Sequence, residues 1–340
     1  MKTYLVTGGA GFIGTNFIHY LMEQKRSTHS LHYQAPEDIR IINLDALTYC
    51  GNRSNVSKYE AYPNYRFLQG DICDEELVNT IFAEETIDYV VHFAAQTHVD
   101  RSIDSAIEFA RTNVLGTLNL LNAANEAWQD EERASKRFLY VSTDEVYGEL
   151  PMEGYFTEAS PLLPRNPYSA SKAGADMMVK AFYETHQLPI LITRCSNNYG
   201  PFQYHEKLIP LCIECCLTGK EIPIYGDGSN IRDWLYVEDH CSAIDTVLQS
   251  GQPGEAYNVG GHNELTNLEL VTILSEVLKE LGQKVSPIRY TEDRKGHDKR
   301  YAVESTKLCT ELGWQASTEF SEGIRKTIRW YLEHKESLQI

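Results

Sequence analysis

Thr7-Gly8-Gly9-Ala10-Gly11-Phe12-Ile13-Gly14 is the stretch that decides the fold. Gly8, Gly11 and Gly14 stand at Gly-x-x-Gly-x-x-Gly spacing, after the apolar run Lys2 to Val6 and at the start of a segment of helical period, Phe12 to Met22. Glycine permits the tight turn and lets backbone N–H groups approach a pyrophosphate, whose charge the helix N-terminus favours. In a chain with 22 glycines the spacing alone has moderate specificity. The order strand, loop, helix makes it a dinucleotide loop rather than a structural turn.

Outward from the loop, runs rich in Val, Ile and Tyr recur at Ile39 to Leu44, Tyr65 to Gln69, Tyr89 to Phe93, Phe138 to Ser142 and Ile190 to Arg194. Segments of helical period, among them Asp74 to Glu84 and Ala106 to Trp128, lie between most of them. Strands alternating with helices predict an α/β fold on a doubly wound parallel (Rossmann) sheet. After about Tyr199 the alternation weakens, and Pro, Gly and aromatic residues gather in Tyr199-Gly-Pro-Phe and Ile222-Pro-Ile-Tyr-Gly-Asp-Gly. A smaller α/β C-terminal substrate lobe is expected there. The expected division is 1–199 plus about 232–262 for the dinucleotide-binding domain, and about 200–231 with 263–340 for the lobe. The chain is expected to return to the main sheet around Arg232 to Asn258 and to end in a helix near Phe320 to Glu333. Lys25 to Asp38, polar and carrying a proline, lengthens the first crossover and reads as a surface insertion.

Lys plus Arg number 31 against 48 Asp plus Glu, a formal charge of -17 that argues against nucleic acid or an anionic membrane as partner. An anionic small substrate would need a local cluster of arginines. Met1 to Gly8 lead straight into a strand, and no stretch approaches eighteen apolar residues, so a cytoplasmic protein is expected. Eight scattered cysteines do not form a secreted disulfide framework. Cys212, Cys215 and Cys216 lack a second pair at ligand spacing and lie in an apolar run that reads as a buried helix, so no metal is expected.

Asp45 ends the second strand, where a carboxylate can take both hydroxyls of an adenosine ribose and repel a 2′-phosphate; the expected cofactor is NAD. Asp71-Ile72, after the third strand, is a candidate adenine contact. Tyr168 and Lys172 stand four apart in Asn166-Pro167-Tyr168-Ser169-Ala170-Ser171-Lys172 and share a helix face. A close ammonium and a positively charged cofactor ring would together have to lower the tyrosine pKa by about 3 units for it to act as a base near neutrality. The spacing recurs by accident about once in a chain of this composition. Tyr331 and Lys335 are that accident, in a helix expected to be exposed. Tyr168 differs by following the fifth strand and Ser142-Thr143-Asp144-Glu145 at its carboxyl end, where open α/β sheets bind ligands.

The glycine loop, Tyr168-x-x-x-Lys172 and Ser142-Thr143-Asp144-Glu145-Val146-Tyr147-Gly148 together resemble the extended short-chain dehydrogenase/reductases and, within them, the dTDP-glucose 4,6-dehydratases. The resemblance runs through nearly the whole chain, including Ala94-Ala95-Gln96-Thr97-His98-Val99-Asp100-Arg101-Ser102, Cys195-Ser196-Asn197-Asn198-Tyr199-Gly200-Pro201, Arg232-Asp233-Trp234 and Gly296-His297-Asp298-x-Arg300-Tyr301. Lys295 departs from the family's proline. The resemblance implies an NAD site of Gly8, Gly11, Phe12, Ile13, Gly14, Asp45, Asp71, Ile72, Ala94, Ala95, Thr97, Tyr168, Lys172 and Asn198. It implies a substrate site for a nucleoside-diphosphate hexose of His98, Ser102, Asn197, Lys207, Leu208, Tyr225, Arg232, Asn267, Arg294, His297 and Tyr301. Arg232 and Arg294 best suit the diphosphate, since a planar guanidinium binds it bidentately.

Catalysis is carried, on this resemblance, by Thr143, Asp144, Glu145, Tyr168 and Lys172. Tyr168 accepts the C4 hydroxyl proton and Thr143 hydrogen-bonds O4 while hydride passes from C4 to NAD; Glu145 removes the C5 proton, Asp144 protonates the departing C6 hydroxyl, and the hydride returns to C6. The adjacent carboxyls separate this reaction from 4-epimerisation, because elimination removes one proton and delivers another. A UDP-sugar 4-epimerase, a UDP-glucose 4,6-dehydratase and a catalytically silent NAD-binding regulator are the competing readings. A homodimer through the helices near Ala106 to Trp128 and Tyr168 to Thr185 is expected from the resemblance.

Overall fold

The computed structural model describes residues 1–23, 38–294 and 296–338. The expected insertion, apart from Asp38, and Lys295 lie outside these residues. The described strands are β1 (Lys2–Thr7), β2 (Ile39–Asp45), β3 (Tyr65–Gln69), β4 (Tyr89–His92), β5 (Arg137–Thr143), β6 (Ile190–Cys195), β7 (Asn197–Tyr199), β8 (Ile222–Tyr225), β9 (Ile231–Tyr236), β10 (Ala256–Val259), β11 (Glu264–Thr266) and β12 (Ile288–Thr291). Seven of them form one sheet in the order β10-β6-β5-β4-β1-β2-β3, with every pair parallel. The six apolar runs read from the sequence are its first six strands, with ends displaced by at most one residue. A sheet covered on both faces needs apolar side chains on both, which is why these runs are nearly continuous rather than alternating.

On one face, Phe17, Ile18 and Leu21 of the helix Phe12–Met22 pack with Ile244, Val247 and Leu248 of the helix Val237–Ser250. On the other, Val78 and Ile81, Leu120 and Leu121, and Ala175 and Val179 come from the helices Glu75–Glu84, Thr117–Ala127 and Pro167–His186. The strand order reverses beside β1, which lies between β2 and β4. A crevice opens at such a switch point, outside the carboxyl ends of the strands.

Ala106 to Trp128 is not one regular helix. Between Ala106–Phe109 and Thr117–Ala127 the chain widens into a π-helical turn, Ala110–Gly116. The Asn113 amide on this turn donates to the Gln96 carbonyl (3.0 Å) and to Ser171 Oγ (2.8 Å) and accepts from the Gln96 N–H (2.8 Å). It thereby joins the loop after β4 to the helix Pro167–His186, a use typical of π-bulges near functional sites.

The smaller lobe contains the parallel pair β12-β8 and, through β11, joins β9 and β7 in the sheet β11-β9-β7. Its core gathers Ile209, Ile213, Ile222, Ile224, Leu270, Leu274, Ile324 and Ile328. Cys212, Cys215 and Cys216 are buried in the same core on the helix Leu208–Thr218. Within 232–258 the helix Val237–Ser250 packs on the main sheet and β10 joins that sheet beside β6, whereas β9 pairs with β7 and β11. The helix Phe320–Glu333 turns Ile324, Thr327, Ile328 and Tyr331 inward at i, i+3, i+4, i+7 spacing. Tyr331 is therefore fully buried, not exposed as expected, and its hydroxyl donates to the Gln203 carbonyl, while Lys335 falls beyond the helix end.

Candidate active site

The carboxyl ends of β1, β4, β5 and β6 open into a cleft of about 670 Å³, walled on its far side by Tyr225, Asn267, Arg294 and His297 of the smaller lobe. At one end lies the glycine loop. Gly8 has φ +71, and a Cβ there would sit 2.6 Å from the Ala94 nitrogen; a Cβ on Gly14 would sit 2.3 Å from the Gly8 carbonyl oxygen. The loop closes against β4 and its own helix only without side chains at these positions. Asp45, buried at the end of β2, accepts from the Ala10 N–H (2.9 Å) and the Leu47 N–H (2.7 Å). Burial holds its carboxyl above the usual range despite these two donors. Phe12, Ile13, Asp71, Ile72, Ala94, Ala95 and Thr97 line the same end.

The middle of the cleft carries the reactive groups. Asn166 caps the helix Pro167–His186, accepting from the Ser169 N–H (2.9 Å) in a capping box with proline at the first helical position, which starts the helix one residue before Tyr168. Tyr168 and Lys172 are both buried. Lys172 Nζ donates to the Val141 carbonyl (2.8 Å) and lies 4.2 Å from the centre of the Tyr140 ring. Burial lowers the Lys172 pKa to about 8, opposed by the negative charge of Asp176.

Tyr168 stands at the start of the same helix. Burial, and then the negative charge of Glu145, hold its hydroxyl well above the ordinary tyrosine value, against a hydrogen bond with Thr143. The expectation combined a close ammonium with a positively charged cofactor ring, and the protein's own groups raise the hydroxyl pKa rather than lower it.

Thr143 ends β5 and caps the 3-10 turn Asp144–Tyr147, its hydroxyl accepting from the Glu145 N–H (3.3 Å). Asp144 is buried, and its Oδ2 has no hydrogen-bond partner among the described residues. Burial first, then Glu145 and Asp233, push its pKa well above the carboxylate range, with Arg232 opposing. Glu145 is also raised by burial, but Arg232, Lys207 and Arg294 all pull it back. Two adjacent carboxyls thus have different proton affinities in one cleft.

At the far end, Arg232 donates to the Ile231 carbonyl (2.7 Å) and the Asp298 carbonyl (3.0 Å) and stacks 4.3 Å from the centre of the Tyr301 ring. Arg294 lies 5.0 Å from the centre of the Tyr225 ring and pairs with Asp100. Lys207 Nζ donates to the Thr97 carbonyl (3.3 Å), and His297 Nδ1 meets Asp293 Oδ1 at 2.6 Å. His98 Nε2 lies 3.4 Å from Glu206 Oε2. Asn197, Asn198, Leu208 and Asn267 complete the lining.

The GDP-mannose 4,6 dehydratase family model matches residues 5–327. The chain belongs to that family. It is 48% identical to the dTDP-glucose 4,6-dehydratase of Xanthomonas campestris pv. campestris (strain B100), over 100% of this chain and 95% of that one. Among solved structures it resembles DesIV, a dTDP-glucose 4,6-dehydratase of Streptomyces venezuelae with NAD and TYD bound, with a TM-score of 0.89, 44% identity and 99% of each chain covered. The dTDP-glucose 4,6-dehydratase of Bacillus anthracis str. Ames in complex with NAD gives a TM-score of 0.86 at 45% identity, over 100% of this chain and 99% of that one.

In this member of the GDP-mannose 4,6 dehydratase family one expected contact is absent from the cleft. Ser102 is fully buried in the short helix Val99–Asp104, outside the lining, and its hydroxyl donates to the Val99 carbonyl (2.6 Å). Every other residue expected at the cofactor, catalytic and substrate positions lines the cleft. Asp100, Glu206 and Asp298 line it too and were not singled out. Asp100 and Asp298 sit inside recognisable motifs, but only tertiary contact turns them toward Arg294 and Tyr301.

Proposed function

We propose that the protein is a dTDP-glucose 4,6-dehydratase that converts dTDP-glucose to dTDP-4-keto-6-deoxyglucose and water with NAD as resident cofactor. The observation that carries this reading is the Asp144–Glu145 pair, two adjacent carboxyls at the end of β5 in one cleft with Tyr168 and Lys172. A 4-epimerase has no use for the pair.

Gly8 and Gly14 let the loop close on Ala94 and on its own backbone, the tight turn a dinucleotide pyrophosphate needs, and Asp45 presents a carboxylate at the ribose position of a dinucleotide fold. Gly8, Gly11, Phe12, Ile13, Gly14, Asp45, Asp71, Ile72, Ala94, Ala95, Thr97 and Asn198 would hold NAD, with Tyr168 and Lys172 beside its reactive end. When bound it supplies reversible hydride acceptance from C4 with return to C6. Tyr168 takes the proton from the C4 hydroxyl, assisted by Lys172, and Thr143 orients O4. Glu145, whose charge three cations favour, removes the C5 proton; Asp144, whose burial favours the protonated carboxyl, delivers a proton to the leaving C6 oxygen. Arg232 and Arg294 bind the diphosphate, with Lys207, Tyr225, Asn197, Asn267, His98, Leu208, His297 and Tyr301 around the nucleotide and sugar. Residues 1–199 with about 232–262 form the NAD-binding domain, from which His98, Asn197 and Arg232 reach the sugar nucleotide, and about 200–231 with 263–340 form the lobe that holds the rest of that site.

A cytoplasmic homodimer completes the proposal. Ile107, Leu115, Met177 and Met178 are exposed on the expected pairing helices, which supports an apolar contact between two copies. No helix among the described residues is long and apolar enough to cross a membrane.

The test is incubation with dTDP-glucose and, separately, UDP-glucose in deuterated water without added reductant. Water loss from dTDP-glucose with deuterium at C5 supports the reading. A galactose epimer formed from UDP-glucose without water loss overturns it.

A further inference from the structure

Beneath the cleft lies a buried chain of polar contacts that touches neither the cofactor region nor the substrate region. Arg194 on β6 donates from Nε to Asp176 Oδ2 (2.8 Å) and from Nη1 to the Tyr147 hydroxyl (2.8 Å), and that hydroxyl donates to Asn258 Oδ1 (2.8 Å). Arg194 is 6% exposed, Asp176 and Tyr147 are 1% and Asn258 is 0%. None of the four lines the cleft.

The two partners of Arg194 in this chain belong to the two catalytic elements. Asp176 lies one helical turn after Lys172 and two after Tyr168, on the same face of the helix Pro167–His186. Tyr147 is the last residue of the 3-10 turn that begins with Asp144 and Glu145, and its ring stacks on Phe156 at 5.0 Å. Arg194 is the register partner of Ser142, so it crosses under the strand end from which the turn departs. A planar guanidinium presents its N–H groups at fixed angles and holds both partners in one relative geometry, which a flexible ammonium would not.

Burying such a pair is no route to stability, because desolvation cancels most of the attraction and an apolar trio of the same volume would serve as well. What the pair supplies is geometry. We propose that Asp176, Arg194 and Tyr147 are positioning residues for the reaction: a buried brace that locks the turn carrying the acid and base to the helix carrying the tyrosine and lysine. The inference rests on the roles proposed above for those catalytic groups.

The C4 proton is handled by the helix and the elimination by the turn, so cutting the brace at the turn affects one step and spares the other. Tyr147→Phe removes a single oxygen and keeps the ring. In a single turnover with dTDP-glucose, reduced-cofactor absorbance should rise as in the unmodified protein and decay about 10- to 100-fold more slowly, the scale of a small misplacement of catalytic groups. KM should stay within about twofold, since the brace does not touch substrate. Arg194→Lys, which keeps the charge beside Asp176 but loses the rigid fork, should reproduce the slow decay. Unchanged decay in both variants overturns the brace. So does a slowed rise in Tyr147→Phe, or a loss of rate matched by an equal loss of folded protein. Asp144→Asn measured alongside separates the two readings: if that variant turns over normally, the assigned catalytic roles fail rather than the brace alone.

Discussion

Arg294 meets Asp100 through both arms of its guanidinium, Nε to Oδ1 at 2.5 Å and Nη2 to Oδ2 at 2.8 Å, joining two segments 194 residues apart across the mouth of the cleft. The Tyr225 hydroxyl donates to the same carboxylate at 3.4 Å. Arg294 is a proposed diphosphate ligand, so the incoming anion meets a fork already occupied by a carboxylate. Asp100→Asn should therefore tighten dTDP binding. Both side chains are partly exposed, and such a pair is worth up to about 1 kcal/mol, so the gain should not exceed about fivefold. Calorimetric titration with dTDP checks it; weaker binding would mean that Asp100 orients the arginine for its ligand.

Asp144→Asn and Glu145→Gln should each lower the rate of water loss by about 10²- to 10⁴-fold, the span of general acid–base catalysis, with KM little changed. Oxidation at C4 depends on Tyr168 and Lys172 and should persist, leaving reduced cofactor bound. Steady-state kinetics with product mass analysis reads both effects.

The same Asp144→Asn variant should be more stable than the unmodified protein. Burial and the Glu145 charge raise the Asp144 pKa in the folded state, so above the ordinary carboxyl range the folded protein holds a proton that the unfolded chain has released. Stability then falls as pH rises through that window, and asparagine lacks the dependence. Asparagine leaves a polar atom without a partner at the Oδ2 position as well, so the gain comes from the removed protonation linkage alone and amounts to roughly 1.4 kcal/mol for each pH unit between the two pKa values. Thermal melts at pH 5 and pH 8 should show the difference between the two proteins widening at the higher pH.

Gly14→Ala should cost about 1–3 kcal/mol or more, as overpacking does, because the new methyl meets the Gly8 carbonyl at 2.3 Å and Gly9 Cα at 2.7 Å. Displacing the loop should also empty the cofactor site, which the absorbance of the purified protein and its NAD content report together.

Ile107→Glu should shift the protein to monomer at micromolar concentration in sedimentation. Ile107 is 82% exposed in the single chain, so a charge there leaves the isolated fold unaffected and acts only on an apolar contact between copies. An unmodified protein that sediments as monomer would remove the dimer from the proposal.

The features legible in the chain were those carried by short spacings. Gly8 to Gly14, Tyr168 with Lys172, and Asp144 beside Glu145 are separations that one turn or one helical repeat translates directly into a shared face or a shared loop. The residues missed or misread depend on contacts far apart in sequence. Ser102 sits in a motif, yet the hydroxyl turns to its own helix. Tyr331 looked exposed because the packed face of an amphipathic helix shows only once the smaller core surrounds it. Arg194 is one more residue of an apolar strand until Tyr147 and Asp176, 47 and 18 residues away, close around it.

The alternation of strands and helices, the tight turn of the glycine loop and the identity of the reactive groups were determined by sequence alone, because they follow from local backbone preferences and side-chain chemistry. The tertiary structure decided which charges surround each of two neighbouring carboxyls, in which direction Tyr168 and Lys172 depart from their ordinary pKa values, and which arginine meets a carboxylate before it meets a ligand. Desolvation and Coulomb interaction depend on the atoms that enclose a group, and those atoms are brought together only by folding.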